Sequence, residues 1–435
     1  MGHTARPQRE YRLLRERLDG TVSGAPDSPA LAKILALLFS ADDVALARRL
    51  PLRLAPLEEI STRLAVAADE LLDKLDDMAR RGLVIDLEHD GRRWFALAPV
   101  AIGFFEFTFM RVRNEIPQAE LARLFDQYMD QDDRFDRSLF RGPTQIGRSL
   151  VHEEALPGDD HTEILDWERA SRLLRDASAV AVSLCACRHK AEHLGKACDK
   201  PQEVCLSLNF AAESLVRNGM ARPLDTDEAL AVLQQCKEAG LAQTGDNVRR
   251  KPTYICNCCG CCCEMIGAIK TFALRNAIVT SNWIVQIDPE KCRGCGECVE
   301  ACPIDAVELV ELPAGQEPRK QARRDEQLCL GCGVCYSACK FGAIGMKSRR
   351  KRVFTPESVF DRVALMAVER GKLAELIFDG TQRPSHRALG RIVALLERVG
   401  TFKAALAIKP LRSAFLRRAV RDARKRIGAV SEILD

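Results

Sequence analysis

The sequence lacks the features that identify membrane and secreted proteins. No stretch reaches the roughly 18 apolar residues that a membrane-spanning helix needs. The most apolar stretch, APVAIGFFEFTFM at 98–110, is shorter and contains Glu106. The chain opens MGHTARPQRE, without an apolar segment behind a basic start, so we expect no secretory leader. These absences predict a cytoplasmic protein without a transmembrane segment.

Motifs for organic cofactors are missing as well. The chain has no glycine-rich dinucleotide fingerprint, no phosphate-binding loop, no nucleophile elbow and no HExxH motif. We therefore expect no bound flavin or nicotinamide and no cofactor beyond metal clusters. The sequence leaves open whether the protein is an enzyme.

What the sequence has in excess is cysteine, with 19 residues in a chain of 435. Disulfide frameworks are typical of short secreted chains, and this chain is long. Clustered thiols in a reducing compartment indicate metal or redox sites. The cysteines fall into two groups, at 185–263 and at 292–339.

The second group contains two runs with one spacing. CRGCGECVEACP at 292–303 follows C-x2-C-x2-C-x3-C-P, and CLGCGVCYSACK at 329–340 repeats the spacing 37 residues later. The flanking segments repeat too, which predicts an internal duplication with a pseudo-twofold axis. Three closely spaced thiolates can surround one iron–sulfur cube, while the fourth begins the next helix and reaches the other cube. The glycines between them allow the backbone to approach the sulfurs.

This pattern resembles the bacterial-type ferredoxin with two [4Fe-4S] clusters. The resemblance implies a ferredoxin-like module over 283–346 whose two ligand sets exchange their fourth cysteine. One set is Cys292, Cys295, Cys298 and Cys339, and the other is Cys329, Cys332, Cys335 and Cys302. A zinc module is disfavoured because zinc sites use pairs of C-x2-C rather than runs of three.

The first group has no comparably specific pattern, and ten of its members are candidate metal ligands. They are Cys185, Cys187, Cys198, Cys205, Cys256, Cys258, Cys259, Cys261, Cys262 and Cys263. The four at 185–205 are enough for one further cluster, with Arg188 offsetting its charge. Adjacent cysteines rarely bind one cube because their side chains diverge. We therefore expect about three of the six at 256–263 to bind a metal, together with one cysteine from 185–205. Cys236 is predicted to be a core residue.

Three interpretations of this first group remain open at the level of sequence. It is an additional iron–sulfur site with one or more [4Fe-4S] clusters, a zinc or other structural site with help from His189 and His193, or a thiol redox site. The pattern C-x-C-R…C…P-x3-C, then C-x-C-C-G, ahead of a two-cluster module is similar to that of anaerobic iron–sulfur proteins. That resemblance implies electron transfer in anaerobic metabolism.

Residues 28–110 are predicted to form a domain of helices followed by a hairpin. Helices are predicted over 56–66 and 68–84, because apolar residues recur there at helical spacing. Two strand-like runs follow, joined by Asp90-Gly91, a strong two-residue hairpin signal. This order resembles the winged-helix domains of bacterial regulators.

DNA binding by this domain is disfavoured but stays an alternative. The helix at 68–84 would enter the major groove in a winged helix, and phosphates repel its acidic face. That face carries Asp69, Glu70, Asp73, Asp76 and Asp77. Arg92 and Arg93 at the hairpin tip are a weak signal in the opposite direction, so we prefer a docking role.

The rest of the chain is predicted as a helical linker at 111–180, a Cys-rich region at 181–282 and a basic helical region at 347–435. The basic region holds 21 Lys and Arg against 9 Asp and Glu, whereas the whole chain carries +4. Such a region is either a solvated helical surface or a contact for an acidic partner. Peripheral membrane contact through RRAVRDARKR at 417–426 is one such possibility.

Together these patterns predict a multidomain α+β iron–sulfur protein that relays single electrons between redox partner proteins. Two alternatives are an iron–sulfur redox-sensing winged-helix regulator and a reductase acting on a small molecule at 185–263.

Overall fold

The computed structural model describes residues 5–156, 168–311 and 320–379. These residues form two compact units. The first comprises 5–144, 213–221 and 357–379, and the second comprises the rest. Within the described ranges no helix is long and apolar enough to cross a membrane. The basic segment from 380 onward, with its candidate membrane contact at 417–426, lies outside the described residues.

The helices and strands are numbered here along the chain. The helices are α1 (Ala5–Asp19), α2 (Pro29–Leu38), α3 (Ala41–Ala47), α4 (Leu57–Leu64), α5 (Ala68–Arg80), α6 (Phe105–Phe109), α7 (Gln118–Phe125), α8 (Arg134–Leu139), α9 (Ala170–Asp176), α10 (Ala186–His193), α11 (Asn209–Arg217), α12 (Thr226–Glu238), α13 (Glu264–Phe272), α14 (Glu297–Glu300), α15 (Val334–Ala338), α16 (Val359–Arg370) and α17 (Leu373–Phe378). The strands are β1 (Ala55–Pro56), β2 (Val84–His89), β3 (Arg92–Leu97), β4 (Gly147–Ser149), β5 (Val180–Leu184), β6 (Glu203–Leu208), β7 (Arg222–Leu224), β8 (Ala242–Asp246), β9 (Tyr254–Cys258), β10 (Ile278–Val279), β11 (Trp283–Ile287), β12 (Val307–Glu311), β13 (Lys320–Arg324) and β14 (Ile344–Ser348).

The first unit is mostly helical and contains a three-stranded antiparallel sheet with strand order β1-β3-β2. Strands β2 and β3 form the hairpin that the sequence predicts. Asp90 (φ 49°) and Gly91 (φ 72°) both adopt the left-handed conformation that a two-residue type I′ turn requires. Helix α5 buries Leu71 and Leu75, and it ends earlier than predicted because the chain turns at Gly82, where φ is 79°.

The second unit is built on a seven-stranded sheet with strand order β10-β4-β8-β9-β6-β5-β7. All of its pairings are antiparallel except that of β10 with β4. Side chains such as Leu150, Val182, Leu206 and Ile255 form a core with α9 and α12.

Two further strand pairs belong to the second unit, β11 with β14 and β12 with β13. Strands β11 and β13 begin 37 residues apart, at Trp283 and Lys320, and so do β12 and β14, at Val307 and Ile344. Each pair therefore joins the first strand of one sequence repeat to the last strand of the other. This arrangement brings the two cysteine runs of 292–339 close together.

Candidate metal centres

The first cysteine-lined cavity lies between the two strand pairs. It measures about 340 Å³, including its open side, and Gly294, Gly296, Leu309 and Phe341 contribute to its wall. Its four thiols are Cys292, Cys295, Cys298 and Cys339. These are the members of one ligand set assigned from the sequence.

The second cavity measures about 310 Å³. Apolar side chains such as Val285 and Leu330 line it together with four thiols, which are Cys302, Cys329, Cys332 and Cys335. They are the members of the other ligand set. The structure thus collects three thiols of each run with the fourth thiol of the other run.

Equivalent glycines allow the two cysteine loops to pass close to neighbouring backbone. A Cβ on Gly294 would lie 2.2 Å from the carbonyl oxygen of Lys320, and one on Gly331 would lie 2.1 Å from that of Trp283. Both glycines have positive φ, 66° and 73°. No other residue fits these positions without displacing backbone.

Backbone N–H groups donate hydrogen bonds to equivalent cysteine sulfurs in the two repeats. The N–H of Ala306 donates to Cys302 Sγ at 3.2 Å, and the N–H of Ala343, 37 residues later, donates to Cys339 Sγ at 3.4 Å. Such bonds stabilise thiolate character. Burial acts in the opposite direction and raises the pKa of Cys332 to about 12. A buried thiol of this kind is held as a thiolate by a bound cation, so these residues fit iron.

The two cavities differ in their access to solvent. Cys295 is exposed, and Phe341 beside it is 48% exposed. In the second set Cys329, Cys332 and Cys335 are all buried. The first cavity therefore lies closer to the surface.

His152 lies beside the second cavity. Its side chain is fully buried, and its backbone N–H donates to the carbonyl oxygen of Cys332 at 2.8 Å. Its Nε2 lies 3.1 Å from the carbonyl oxygen of Leu241. The residue connects the cysteine loop to the large sheet, and no motif in the sequence marked it.

Six thiols of 185–263 form one continuous set, which we call the thiol chain. Cys205, Cys256 and Cys258 lie on β6 and β9, which are neighbours in the sheet, and the other three lie at the N-terminal ends of α10 and α13. Their side chains interact in the order Cys185, Cys187, Cys263, Cys258, Cys256 and Cys205. The pairing of β6 with β9 therefore joins the two cysteine segments that the sequence left apart.

The other four candidates of this region form a separate cluster, which we call the four-thiol group. It consists of Cys198, Cys259, Cys261 and Cys262, whose Sγ atoms all lie within 4.8 Å of one another. From the sequence, Cys198 could bind either with the other cysteines of 185–205 or with three of those at 256–263, and its sulfur lies at the 256–263 loop. His189 and His193 are not in the group, and their rings stack on each other with centroids 4.8 Å apart. Cys236 is fully buried, as predicted.

Arg188 connects the two thiol clusters. It is fully buried and donates to the carbonyl oxygen of Asn257 from Nη1 at 3.1 Å and from Nη2 at 3.2 Å. Burial lowers the pKa of this guanidinium, but Cys185 of the thiol chain and Cys259 of the four-thiol group raise it above its ordinary value. The charge of Arg188 thus compensates negative sulfur on both sides.

Residues 291–343 match the family model of the 4Fe-4S dicluster domain. No curated protein and no solved structure matches the chain significantly. The domain contains the four thiols of each cavity, and together with the many cysteines it indicates iron–sulfur electron transfer.

Proposed function

We propose that the protein relays single electrons between redox partner proteins through two [4Fe-4S] clusters in the domain at 291–343. The observation that carries this proposal is the pair of thiol-lined cavities within the matched domain. The ligands of the first cluster are Cys292, Cys295, Cys298 and Cys339, and those of the second are Cys329, Cys332, Cys335 and Cys302.

The chain supplies thiolates, N–H groups and shielding, and a [4Fe-4S] cluster supplies a centre that accepts and releases one electron. The amides of Ala306 and Ala343 stabilise sulfur charge on the fourth ligand of each set. Three of the four thiols of the second set are buried next to His152, whereas Cys295 of the first set is exposed to water. These features are the means by which a protein sets a cluster's potential.

We place the contact with a redox partner at the first cavity. Its wall reaches the surface through Cys295 and Phe341. The exposed Lys340 there forms an ion pair with Glu297, with Nζ and Oε1 3.0 Å apart. An exposed aromatic ring beside an exposed ligand provides an apolar contact close to the electron carrier.

An additional cluster in the thiol chain would extend this relay. Its support is the set of six interacting thiols, more than one cluster requires, next to the buried positive charge of Arg188. If that cluster had an iron with an open position, the same site would favour the alternative of a small-molecule reductase.

We infer that the sheet β1-β3-β2 with α4 and α5 is a winged helix used for docking. Its support is the strand order and the hairpin geometry. The regulator alternative is weakened by the pairing of its cations. Arg93 bonds Asp76 and Asp86, and Lys74 bonds Glu70.

The first test is iron and acid-labile sulfide per chain on anaerobically purified protein, followed by a reductive titration. We expect at least about eight irons and one electron for each cluster. Cys295→Ser should lose about four irons, whereas Cys236→Ala, which removes a core thiol, should lose none. Fewer than eight irons in the wild-type protein, or clusters that dithionite does not reduce, would refute the proposal.

A further inference from the structure

We propose that the four-thiol group binds a single Zn²⁺ ion in tetrahedral coordination. This site is distinct from the two cavities at 292–339 and from the thiol chain. It goes beyond the proposed electron relay and does not depend on it.

The separations of the sulfurs carry the assignment. A tetrahedral zinc with Zn–S bonds of about 2.3 Å places its four sulfurs about 3.8 Å apart. Cys262 Sγ lies 3.7 Å from Cys261 Sγ and 3.8 Å from Cys198 Sγ. All four sulfurs are mutually within 4.8 Å. One ion at their centre would contact every one of them.

The same separations favour a single ion over a four-iron cube held by these thiols. In a cube each thiolate binds its own iron at a separate corner, which puts the sulfurs roughly 6 Å apart. Sulfurs that lie within contact of one another leave no volume for such a core. The side chains of adjacent Cys261 and Cys262 do not diverge, since their Sγ atoms lie 3.7 Å apart, which suits two ligands of one ion rather than two corners of a cube.

The local backbone has the geometry of a zinc loop. Cys259 and Cys262 are separated by two residues, the spacing typical of structural zinc ligands. The N–H of Cys262 donates to Cys259 Sγ at 3.4 Å, and the N–H of Cys261 also bonds this sulfur. These amides orient the first ligand and reduce its negative charge.

The surroundings suit a closed structural site. Four thiolates around Zn²⁺ carry two net negative charges, and the buried Arg188 interacts with Cys259. Cys259 and Cys262 are buried against Leu241 and Val204. With four protein ligands the ion has no position for water or substrate, so the site stabilises structure rather than performing chemistry.

The site would hold the 256–263 loop against the dicluster domain. A Cβ on Gly260 would lie 2.6 Å from the carbonyl oxygen of Pro303, so the loop packs directly on the residue that follows Cys302. Cys198 belongs to the segment between α10 and β6, 61 residues before Cys259 in the sequence. One ion therefore fastens two distant segments beside the second cavity.

The test is zinc and iron content of the full-length protein, expressed with zinc supplied and dialysed against metal-free buffer, together with zinc-edge X-ray absorption. We expect about one zinc per chain with four sulfurs at about 2.3 Å. Cys261→Ser should lose the zinc and retain its iron. Cys295→Ser, which removes the other exposed thiol, should retain the zinc and lose about four irons.

Several outcomes overturn the zinc assignment. Wild-type protein without zinc does so, and so does a zinc shell that contains nitrogen or oxygen. Loss of about four irons in Cys261→Ser would place a cluster at the group, and loss of about one iron would place a mononuclear iron there. If the Cys261→Ser variant does not fold, the zinc content and the zinc ligands of the wild-type protein, measured by X-ray absorption, test the assignment. Fewer than about eight irons per chain together with bound zinc would refute the proposed electron relay but not the zinc site.

Discussion

At the scale of single residues, glycines decide whether the cysteine loops can close around a metal. Gly331 and Gly342 both have positive φ, 73° and 60°, so any side chain adds backbone strain at either position. They differ in their surroundings. A Cβ on Gly331 would meet the carbonyl oxygen of Trp283 at 2.1 Å, whereas a Cβ on Gly342 has no atom within 4 Å.

Gly331→Ala should therefore lose the cluster of the second cavity, and Gly342→Ala should not. The alanine at 331 displaces the loop that carries Cys329 and Cys332, whereas the one at 342 adds only the shared strain. We expect about four irons fewer per chain in Gly331→Ala and wild-type iron in Gly342→Ala, measured after anaerobic purification. Equal iron in the two variants would show that the close approach to Trp283 does not matter for cluster assembly.

Whether a ligand set could be predicted from the sequence depends on how close its cysteines lie along the chain. The runs at 292–303 and 329–340 carry their own loop geometry, so spacing and resemblance were enough to propose both ligand sets. Cys198 and Cys259 lie 61 residues apart, and no local spacing rule connects them. They meet because β6 pairs with β9, which is tertiary information. The rule that adjacent cysteine side chains diverge predicts that about three of the six thiols at 256–263 bind a metal, but it does not indicate which three.

At the scale of elements, a buried carboxylate joins the hairpin of the first unit to α11. Asp86 on β2 is 1% exposed. It accepts hydrogen bonds from Ser214 Oγ at 2.7 Å, Asn218 Nδ2 at 2.6 Å and Arg217 Nε at 2.8 Å. Arg93 on β3 adds a fourth bond at 3.1 Å. The carboxylate thus compensates two guanidinium groups and fixes β2 against the end of α11.

Asp86→Asn should loosen the hairpin, because the amide keeps the volume but leaves Arg93 and Arg217 without their carboxylate. We expect the free energy of opening of β2 and β3, measured by hydrogen exchange over 84–97, to fall by about 2 kcal/mol or more. Glu88→Gln on the same strand is the matched control, since Glu88 is 47% exposed and lies 3.8 Å from Arg217. Its effect should stay below about 1 kcal/mol. Equal decreases in the opening free energy of the two variants would mean that the burial of Asp86 does not strengthen its contribution to the stability of the hairpin.

The charge on these elements also bears on the regulator alternative. Lys74 on α5 pairs with Glu70, and Arg92 at the hairpin pairs with Glu58 at 3.5 Å while covering the Trp94 ring. The cations that would face DNA are thus already compensated. The double charge reversal Lys74→Glu with Arg92→Glu should change affinity for duplex DNA by less than about twofold at low salt.

The matched control is a second double charge reversal in the basic segment, Arg417→Glu with Arg418→Glu. It shows whether DNA binds to the basic segment or to the hairpin and α5. If only this second variant weakens binding, any DNA affinity comes from the basic segment. A drop of about tenfold or more in the first variant would instead identify the hairpin and α5 as a DNA-reading surface, and the docking interpretation would be wrong.

Sequence signals predicted the elements of the first unit better than those of the second. Capping residues and the Asp90-Gly91 turn act through local hydrogen bonds and backbone conformation, so they can be recognised without tertiary contacts. Ser28 at the start of α2, for example, accepts a hydrogen bond from the N–H of Ala30. The seven-stranded sheet consists of strands as short as two or three residues, such as β10 and β4, which become stable only through pairing.

At the scale of the whole molecule, the candidate metal ligands all lie in one of the two units. All 19 cysteines lie between 185 and 339 and belong to the second unit, whereas the first unit contains none. The first unit has a core of its own, with aromatic contacts such as Phe105 with Phe125 at a centroid distance of 5.1 Å. Metal binding is therefore expected to contribute folding free energy to the second unit alone.

Removal of the metals should consequently unfold the molecule in part. After anaerobic treatment with a chelator and acid, followed by return to neutral pH, we expect hydrogen exchange to accelerate over 254–263 and 283–348. Exchange over 29–47 and 118–139 in the first unit should stay within about twofold of its rate in the metal-loaded protein, because no cysteine lies there. The protein returned to neutral pH with iron, sulfide and zinc restored is the control for irreversible damage. Loss of protection in both units together would show that they fold as one cooperative system, and the first unit would then require the metal-bound second unit to remain folded.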